Sequence, residues 1–518
     1  MDIQQLLTPF DLTKFRWQKA KDSTKTHTRP LAGTEIVLDF WSRRCKGDLN
    51  LFVGVYLDLL TPATIPQIID SAQQAWIWLR YQVPTIAAQL HTDSHDAPHL
   101  VYKPAEHESL SCWLDNTLLI EKQDTLDLDT LRRQLGPAQI PFPDGNLMHL
   151  HLVIPSGEHE DPVSRLGVLL HCHHLLIDGL GALTLLNQYF TKLADIVGSD
   201  YTKESFAWGT EVDKLLPAVF NVMDASELRP VQPGSFERPS FALPYYASLA
   251  SALQDTIQMF EKPLGFKPRN PDSGLPSTSR MEVEFTRQDS EKLVKSLKAS
   301  GYTVTHLAHA ALSLVARSDS VSDVEDASLS FINFSIVNCR HRLTAPYCHR
   351  GKYPGNALGI HLLKVPLSLF ISDSGEFFPI DKSLVAKLLD ALRDCYETQK
   401  VTPGLLSRTA QGSEIVAATL KYSFMNNRAP VNQCYSFSSD GVGENYLDAT
   451  FSNGSGTPIV GVTKYFTSLN RVDPAPYFRI SSWKGIIYLS ADFNENIITA
   501  KEVSEYMVKW KEYMLLGI

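Results

Sequence analysis

Apolar residues recur at helical spacing from Ile65 to Leu79, at Ile65, Ile68, Ile69, Ala72, Ala75 and Leu79, which predicts an amphipathic helix. Thr64 can cap it, and Pro66 falls in its first turn, where a missing N–H does no harm. Pro84 then kinks or ends it. His149–Pro155 (HLHLVIP) and Arg165–His174 (RLGVLLHCHH) read as strands. Gly179 and Gly181 break the second, and a helix is expected from about Leu180 to Val197 on Leu183, Leu185, Leu186, Tyr189, Phe190 and Leu193. From about Lys203 to Ser277 the pattern turns irregular, with Pro217, Pro230, Pro233, Pro239, Pro244, Pro263, Pro268, Pro271 and Pro276 punctuating it. A proline-rich connection of that length is a linker or a functional segment. Beyond it the spacing predicts a strand at Met281–Phe285, helices at Asp289–Ala299 and from Thr303 or Thr305 to Val315, and a buried strand at Leu329–Asn338. A helix follows at Asp381–Cys395, then strands at Cys434–Phe437, Ile459–Val462, Tyr477–Ile480 and Gly485–Leu489, and a final helix at Ala500–Leu515. Alternating helices and strands imply an α/β or α+β architecture. The chain therefore divides into a first half, 1–215, a connection, 216–275, and a second half, 276–518.

Length alone, 518 residues, gives a prior of about three to four domains, which the halves reduce to two. Apolar residues make up 44% and charged residues 20%, the balance of a soluble globular chain rather than a disordered one. The net charge of −9 argues against a nucleic-acid or membrane-surface binder and leaves room for a local basic groove. Seven cysteines without a CxxC pair fit a reducing compartment. The N-terminus lacks a basic start followed by an apolar core, and no 18-residue apolar run occurs, so a cytoplasmic location without membrane insertion is expected.

Candidate chemistry concentrates in Leu170–Leu183, LHCHHLLIDGLGAL. Three readings compete. His171 and His173 could form an H-x-H metal pair, but a metallo-hydrolase would place an aspartate where Leu175 stands. Gly179-x-Gly181 between a strand and a helix echoes a dinucleotide fingerprint, but its third glycine is missing, and Asp178 would set a negative charge beside the pyrophosphate. The third reading is a general-base histidine, presented at a strand end and able to take a proton from an alcohol. Asp178-Gly179 would make a tight turn there, and a buried Asp178 would need a cationic partner. The plain alternative is a set of satisfied core histidines. His306 and His309, three apart on a helix, read as a packed or solvated face. Cys172 reads as a buried structural thiol, and no G-x-S-x-G elbow occurs.

The run His173-His174-Leu-Leu-Ile-Asp178-Gly179 resembles the HHxxxDG motif of the CoA-dependent acyltransferase superfamily. That superfamily includes chloramphenicol acetyltransferase, the BAHD acyltransferases and peptide-synthetase condensation domains. A second block, Asn338-Cys-Arg340-His-Arg342-Leu343 followed by Tyr353-Pro-Gly355-Asn356-Ala357, resembles the BAHD segment in which R-x-R-L precedes Y-x-G-N-A. The two blocks stand in the family's order over about 190 residues. The resemblance implies an α/β fold (α+β, two-layer) of two chloramphenicol-acetyltransferase-like domains, with the active site in a tunnel between them. It makes His174 the general base and His173 mainly structural. Asp178 would pair with Arg340 or Arg342 to hold the His174 loop, and Gly179 would permit the turn. The BAHD segment DFGWG is absent. The nearest run, Ser439-Asp440-Gly441-Val442-Gly443-Glu444, moves the resemblance toward fungal relatives. With the run RPLAGTE at 29–35 it is most similar to the trichothecene 15-O-acetyltransferase group. Ser438, Ser439 and Asp440 are candidate oxyanion or substrate contacts.

The resemblance thus implies acetyl transfer from acetyl-CoA, as cosubstrate, to a hydroxyl of a secondary metabolite, the C-15 hydroxyl of a trichothecene, by a monomer with no metal and no bound cofactor. The alternatives are a carrier-protein-dependent condensation-type enzyme, an acetyltransferase for another terpenoid or polyketide alcohol, and a degenerate binding protein on the same fold. CoA is an anion, so a basic patch concealed by the net charge is expected.

Overall fold

Among the described residues, two six-stranded sheets and a smaller four-stranded one carry the fold. The structure, a computed structural model, describes residues 12–20, 25–93, 97–157, 162–198, 203–228, 239–261, 264–267, 276–320, 328–402, 404–425 and 434–517. In the first large sheet the strands run in the order Thr450–Ser452, Pro458–Leu469, Leu51–Thr64, Pro162–Cys172, Met148–Pro155 and Leu118–Gln123. Its centre is antiparallel, with Leu51 opposite Cys172 and Cys172 opposite Met148. Central strands rich in Leu and Val bury both faces, and only such apolar runs can do so without stranding polar side chains. Against one face lie helices Ile65–Gln82 and Gly179–Val197. The first starts as expected, with Thr64 and Gln67 forming a capping box and Pro66 in the first turn, and it stops at Val83 before Pro84. Trp76 is fully buried on it and stacks on Trp113 at 5.6 Å.

The second large sheet runs Leu358–Pro366, Ser330–Asn338, Ser436–Val442, Tyr477–Trp483, Ile486–Asn494 and Thr278–Glu284. Helices Arg287–Ala299, Val304–Ser320, Lys382–Val401 and Ala500–Leu516 accompany it, and Trp510 is buried in its core. Two neighbouring strands, Ser330–Asn338 and Ser436–Val442, run parallel and meet at a single register point, Ser335 opposite Phe437. The sheet therefore opens toward their carboxyl ends, where ligands of parallel strands characteristically sit.

Two features depart from the sequence reading. The strand Pro458–Leu469 lies in the second half of the chain, yet it pairs with Leu51–Thr64 of the first sheet. A cut at 276 therefore does not separate the two sheets. The proline-rich connection is also not without structure, for it holds the helix Pro239–Glu261 with Pro244 inside it. Pro239 opens the helix, where no intrahelical N–H is required, whereas Pro244, its sixth residue, gives up one i→i−4 hydrogen bond. Pro230, Pro233, Pro263, Pro268 and Pro271 lie outside the described residues. Among the described residues no helix is long and apolar enough to cross a membrane.

Candidate active site

The strand Pro162–Cys172 ends where the chemistry begins. The His173 N–H donates to the Leu147 carbonyl at 2.8 Å, and the His173 carbonyl accepts from the Leu176 N–H at 3.1 Å. Nδ1 of His173 accepts from the Leu175 N–H at 3.2 Å, and the ring is fully buried. His173 thus shapes the turn, and burial pushes its pKa down to about 3. His174, one residue on, lines a cavity of about 440 Å³. Its carbonyl accepts from Asn356 Nδ2 at 3.3 Å, which ties the loop to the second sequence block. Burial lowers the His174 pKa to about 4, Arg479 adding to the depression and Asp178 opposing it. The ring is consequently neutral at working pH and can accept a proton.

Asp178 closes the turn as the N-cap of helix Gly179–Val197. Its carboxylate is engaged on both oxygens. Oδ1 accepts from the Gly181 N–H at 2.7 Å and from Arg340 Nη2 at 2.8 Å, and Oδ2 accepts from the Ala357 N–H at 3.0 Å. Arg340 also donates to the carbonyls of Tyr353 at 2.8 Å and Gly355 at 2.7 Å. The two sequence blocks therefore meet through one buried ion pair, with the guanidinium threading the Tyr353–Ala357 loop. Buried ion pairs hold only when the remaining donors and acceptors are satisfied, and here most of them are.

Three expectations need correction. Arg342 does not reach Asp178. It turns away to Glu227 at 2.5 Å and to the carbonyls of Thr402 and Lys400. Gly179 is not required by the turn, because its φ is not positive and a Cβ there would meet open space. Gly181 is the constrained position, since a Cβ on it would lie 1.9 Å from the Pro354 carbonyl oxygen. The strand at 434–437 shifts to Ser436–Val442, with a bulge between Ser439 and Gly441 that turns Ser438, Ser439 and Asp440 toward the cavity. Ser438 Oγ donates to Asp440 Oδ1 at 2.8 Å, so its proton is already used. Asp440 Oδ2 takes Thr467 Oγ1 at 2.9 Å and Arg479 Nε at 3.1 Å. Ser439 Oγ shares one hydrogen bond with Thr305 Oγ1 at 2.8 Å, which leaves one proton of that pair free.

The other histidines and the thiol are packing elements. His171 stacks on Phe52 at 4.0 Å, and Cys172 is buried, which raises its thiol pKa. His309 is buried with Nδ1 3.1 Å from the Tyr396 hydroxyl, and His306 stacks on the same ring. Sequence reasoning missed much of the cavity wall: Trp41, Asp48, Leu249, Arg408, Arg471, Asp473 and Arg479. Thr34 also lines it, inside the RPLAGTE run. There Arg29 and Glu35 pair at 2.7 Å, and Gly33, at φ +57°, brings its backbone against Ala410. Arg479 is held by Asp440 and Asp492, both at 3.1 Å. Asp48 and Asp473 flank Arg471, and Asp473 is pushed up to about 7 by burial and by Asp48.

The fold is one shared with peptide-synthetase condensation domains. The starter condensation domain of rhizomide synthetase RzmA superposes at a TM-score of 0.56 with 10% identity, covering 95% of this chain and 94% of that one. The structure of the TRI3 trichothecene 15-O-acetyltransferase from Fusarium sporotrichioides superposes at 0.84 with 19% identity, covering 99% and 100%. The trichothecene O-acetyltransferase TRI3 of Trichoderma arundinaceum is 22% identical over 529 residues, 97% of each chain. The chain belongs to the family described as 15-O-acetyltransferase Tri3, whose model matches residues 7–355. It is an acyl-CoA-dependent O-acetyltransferase, and acetyl-CoA is the cosubstrate that such an activity implies.

Proposed function

We propose that His174 is the general base of acetyl transfer from acetyl-CoA to a hydroxyl of a terpenoid secondary metabolite, the C-15 hydroxyl of a trichothecene. The observation that carries this reading is the Asp178–Arg340 pair at 2.8 Å, which fixes the loop bearing His174 on the wall of a cavity shared by both halves. His174 Nε2 takes the proton of the acceptor hydroxyl. The oxygen attacks the thioester carbonyl, and the tetrahedral intermediate collapses with cleavage of the C–S bond. The proton on Nε2 passes to the departing thiolate. Holding both substrates in one cavity supplies proximity, and the base contributes roughly 10²–10⁴-fold. Of the candidate oxyanion donors, the Ser439–Thr305 pair is favoured because Ser438 already donates to Asp440. Asp178, with both oxygens committed, acts as a positioning residue. In this reading the working unit is a monomer, with residues of both large sheets of one chain lining the cavity. The acceptor class rests on the family and on the names of the relatives.

The test is thiol release from acetyl-CoA with a panel of hydroxylated terpenoids that includes a trichothecene bearing a free C-15 hydroxyl. His174→Ala is expected to lose at least about 10²-fold in turnover with an unchanged melting temperature. Near-normal turnover by that variant overturns the role of His174. Release confined to other alcohols overturns the acceptor class.

A further inference from the structure

Among the described residues three arginines line the cavity, and two of them are neutralised: Arg471 by Asp48 and Asp473, Arg479 by Asp440 and Asp492. The third, Arg408, is not. It lies in the first turn of helix Leu405–Met425 and is 3% exposed. Its partners are neutral. Nη1 donates to Ser248 Oγ, and Nη2 sits 3.0 Å from Nδ1 of His361. Burial pushes the His361 pKa down to about 4, with Arg408 adding to the effect, so the ring is an uncharged acceptor. The carboxylates nearby are committed elsewhere. Glu227 holds Arg342 and accepts from the backbone N–H groups of Leu406 at 2.8 Å and Ser407 at 3.1 Å. Asp255 pairs with Lys364. Among the described residues no carboxylate lies within ion-pair distance of Arg408. Leu249, Leu253, Phe334, Ile360, Leu362 and Val416 line the same cavity.

A buried charge without a counter-ion is costly, and a guanidinium whose side-chain partners are neutral keeps its charge available to a carboxylate or phosphate. We propose that Arg408 is the cavity's anion-binding arm and receives a negatively charged oxygen of a substrate, a phosphate of the acyl-CoA or a carboxylate on the acceptor. The proposal rests on the reading of this cavity as the substrate site. The acceptor named above is neutral, so in that reaction the anion comes from the donor.

The experiment compares the full chain with Arg408→Met and Arg408→Lys, using acetyl-CoA and acetyl-pantetheine, which carries no phosphate. Loss of a charge-assisted contact corresponds to about 10- to 100-fold. A rise of that size in KM for acetyl-CoA, partly restored by Arg408→Lys and absent with acetyl-pantetheine, assigns the arm to a CoA phosphate. An equal rise in acceptor KM with both donors, confined to acidic acceptors, assigns it to an acceptor carboxylate. If neither KM moves and only the melting temperature falls, Arg408 is structural and the proposal is overturned. Calorimetric titration with CoA and with pantetheine keeps the two readings apart. A wild-type chain that acetylates no alcohol, yet binds CoA at least tenfold more tightly than its Arg408→Met variant, sinks the proposed function and spares the anion arm. Equal CoA affinity in that inactive chain sinks both.

Discussion

Arg340 and Arg342 stand two residues apart on one short turn and serve different parts of the molecule. Arg340 crosses to Asp178 and threads the Tyr353–Ala357 loop, so its ion pair bridges the halves beside His174. Arg342 turns back to Glu227, whose carboxylate also caps the start of helix Leu405–Met425. Both carboxylates are 1% exposed. The first unit positions the chemistry, and the second fastens the connection between halves to the helix that carries Arg408. Two neighbouring arginines of one motif thus each pair with a buried carboxylate, and the element each reaches separates their roles.

The comparison breaks most easily at Asp178. Asp178→Asn strands the Arg340 charge, and removing one partner of a buried pair costs about 3–5 kcal/mol. We expect a loss of that size in denaturant titration, together with a fall in soluble yield. An Asp178→Asn chain that is fully stable but inactive would instead assign Asp178 a direct role in the reaction. Arg342→Met comes next. Its guanidinium also leans on two backbone carbonyls and is 15% exposed, so about 1–3 kcal/mol should be lost, with kcat changed by less than severalfold in steady-state assays. Loss of kcat comparable to that of the His174→Ala chain would erase the distinction between the two units.

A third test lies on the pH axis and touches both sides, with His173 and His174 at about 3 and about 4 on the Arg340 side and His361 at about 4 beside Arg408. An unfolded histidine titrates near 6.5. Between 6.5 and 4 the unfolded chain binds protons that the folded chain refuses, so stability is complete above 6.5 and declines as pH falls through that window. The slope is about 1.4 kcal/mol per pH unit for each such ring. Asp473, raised to about 7, runs in the opposite direction and offsets part of this. The acid limb of kcat/KM should fall near pH 4. A limb at 6 to 7 would mean that His174 is solvated and that its loop is not held as described.

Much of this was legible in the sequence. The helix after Thr64 announces its own cap and its apolar stripe. The HHLLIDG run and the Asn338–Ala357 block carry their partnership in residue type, because a buried aspartate calls for a cation. What could not be read is what depends on tertiary meeting. Helix Leu405–Met425 hides behind Ser407, Thr409, Gly412 and Ser413, small and polar residues that lack an apolar period. The cavity wall gathers Thr34, Arg408, Asp440, Arg471 and Arg479 from more than four hundred residues of chain, and no local spacing relates them. Gly181 rather than Gly179 proved decisive because its constraint comes from Pro354, which belongs to the other half.

The pairing of Pro458–Leu469 with Leu51–Thr64 has a consequence for synthesis. The edge of Leu51–Thr64 that will receive it is made almost four hundred residues earlier. At roughly 5–20 residues per second of translation, this long apolar strand waits on the order of 20–80 seconds for its neighbour. An unpaired edge of this kind is a template for aggregation. The edge is then expected to need shielding until the last eighth of the chain is made, and a fragment ending at the proline-rich connection should be insoluble.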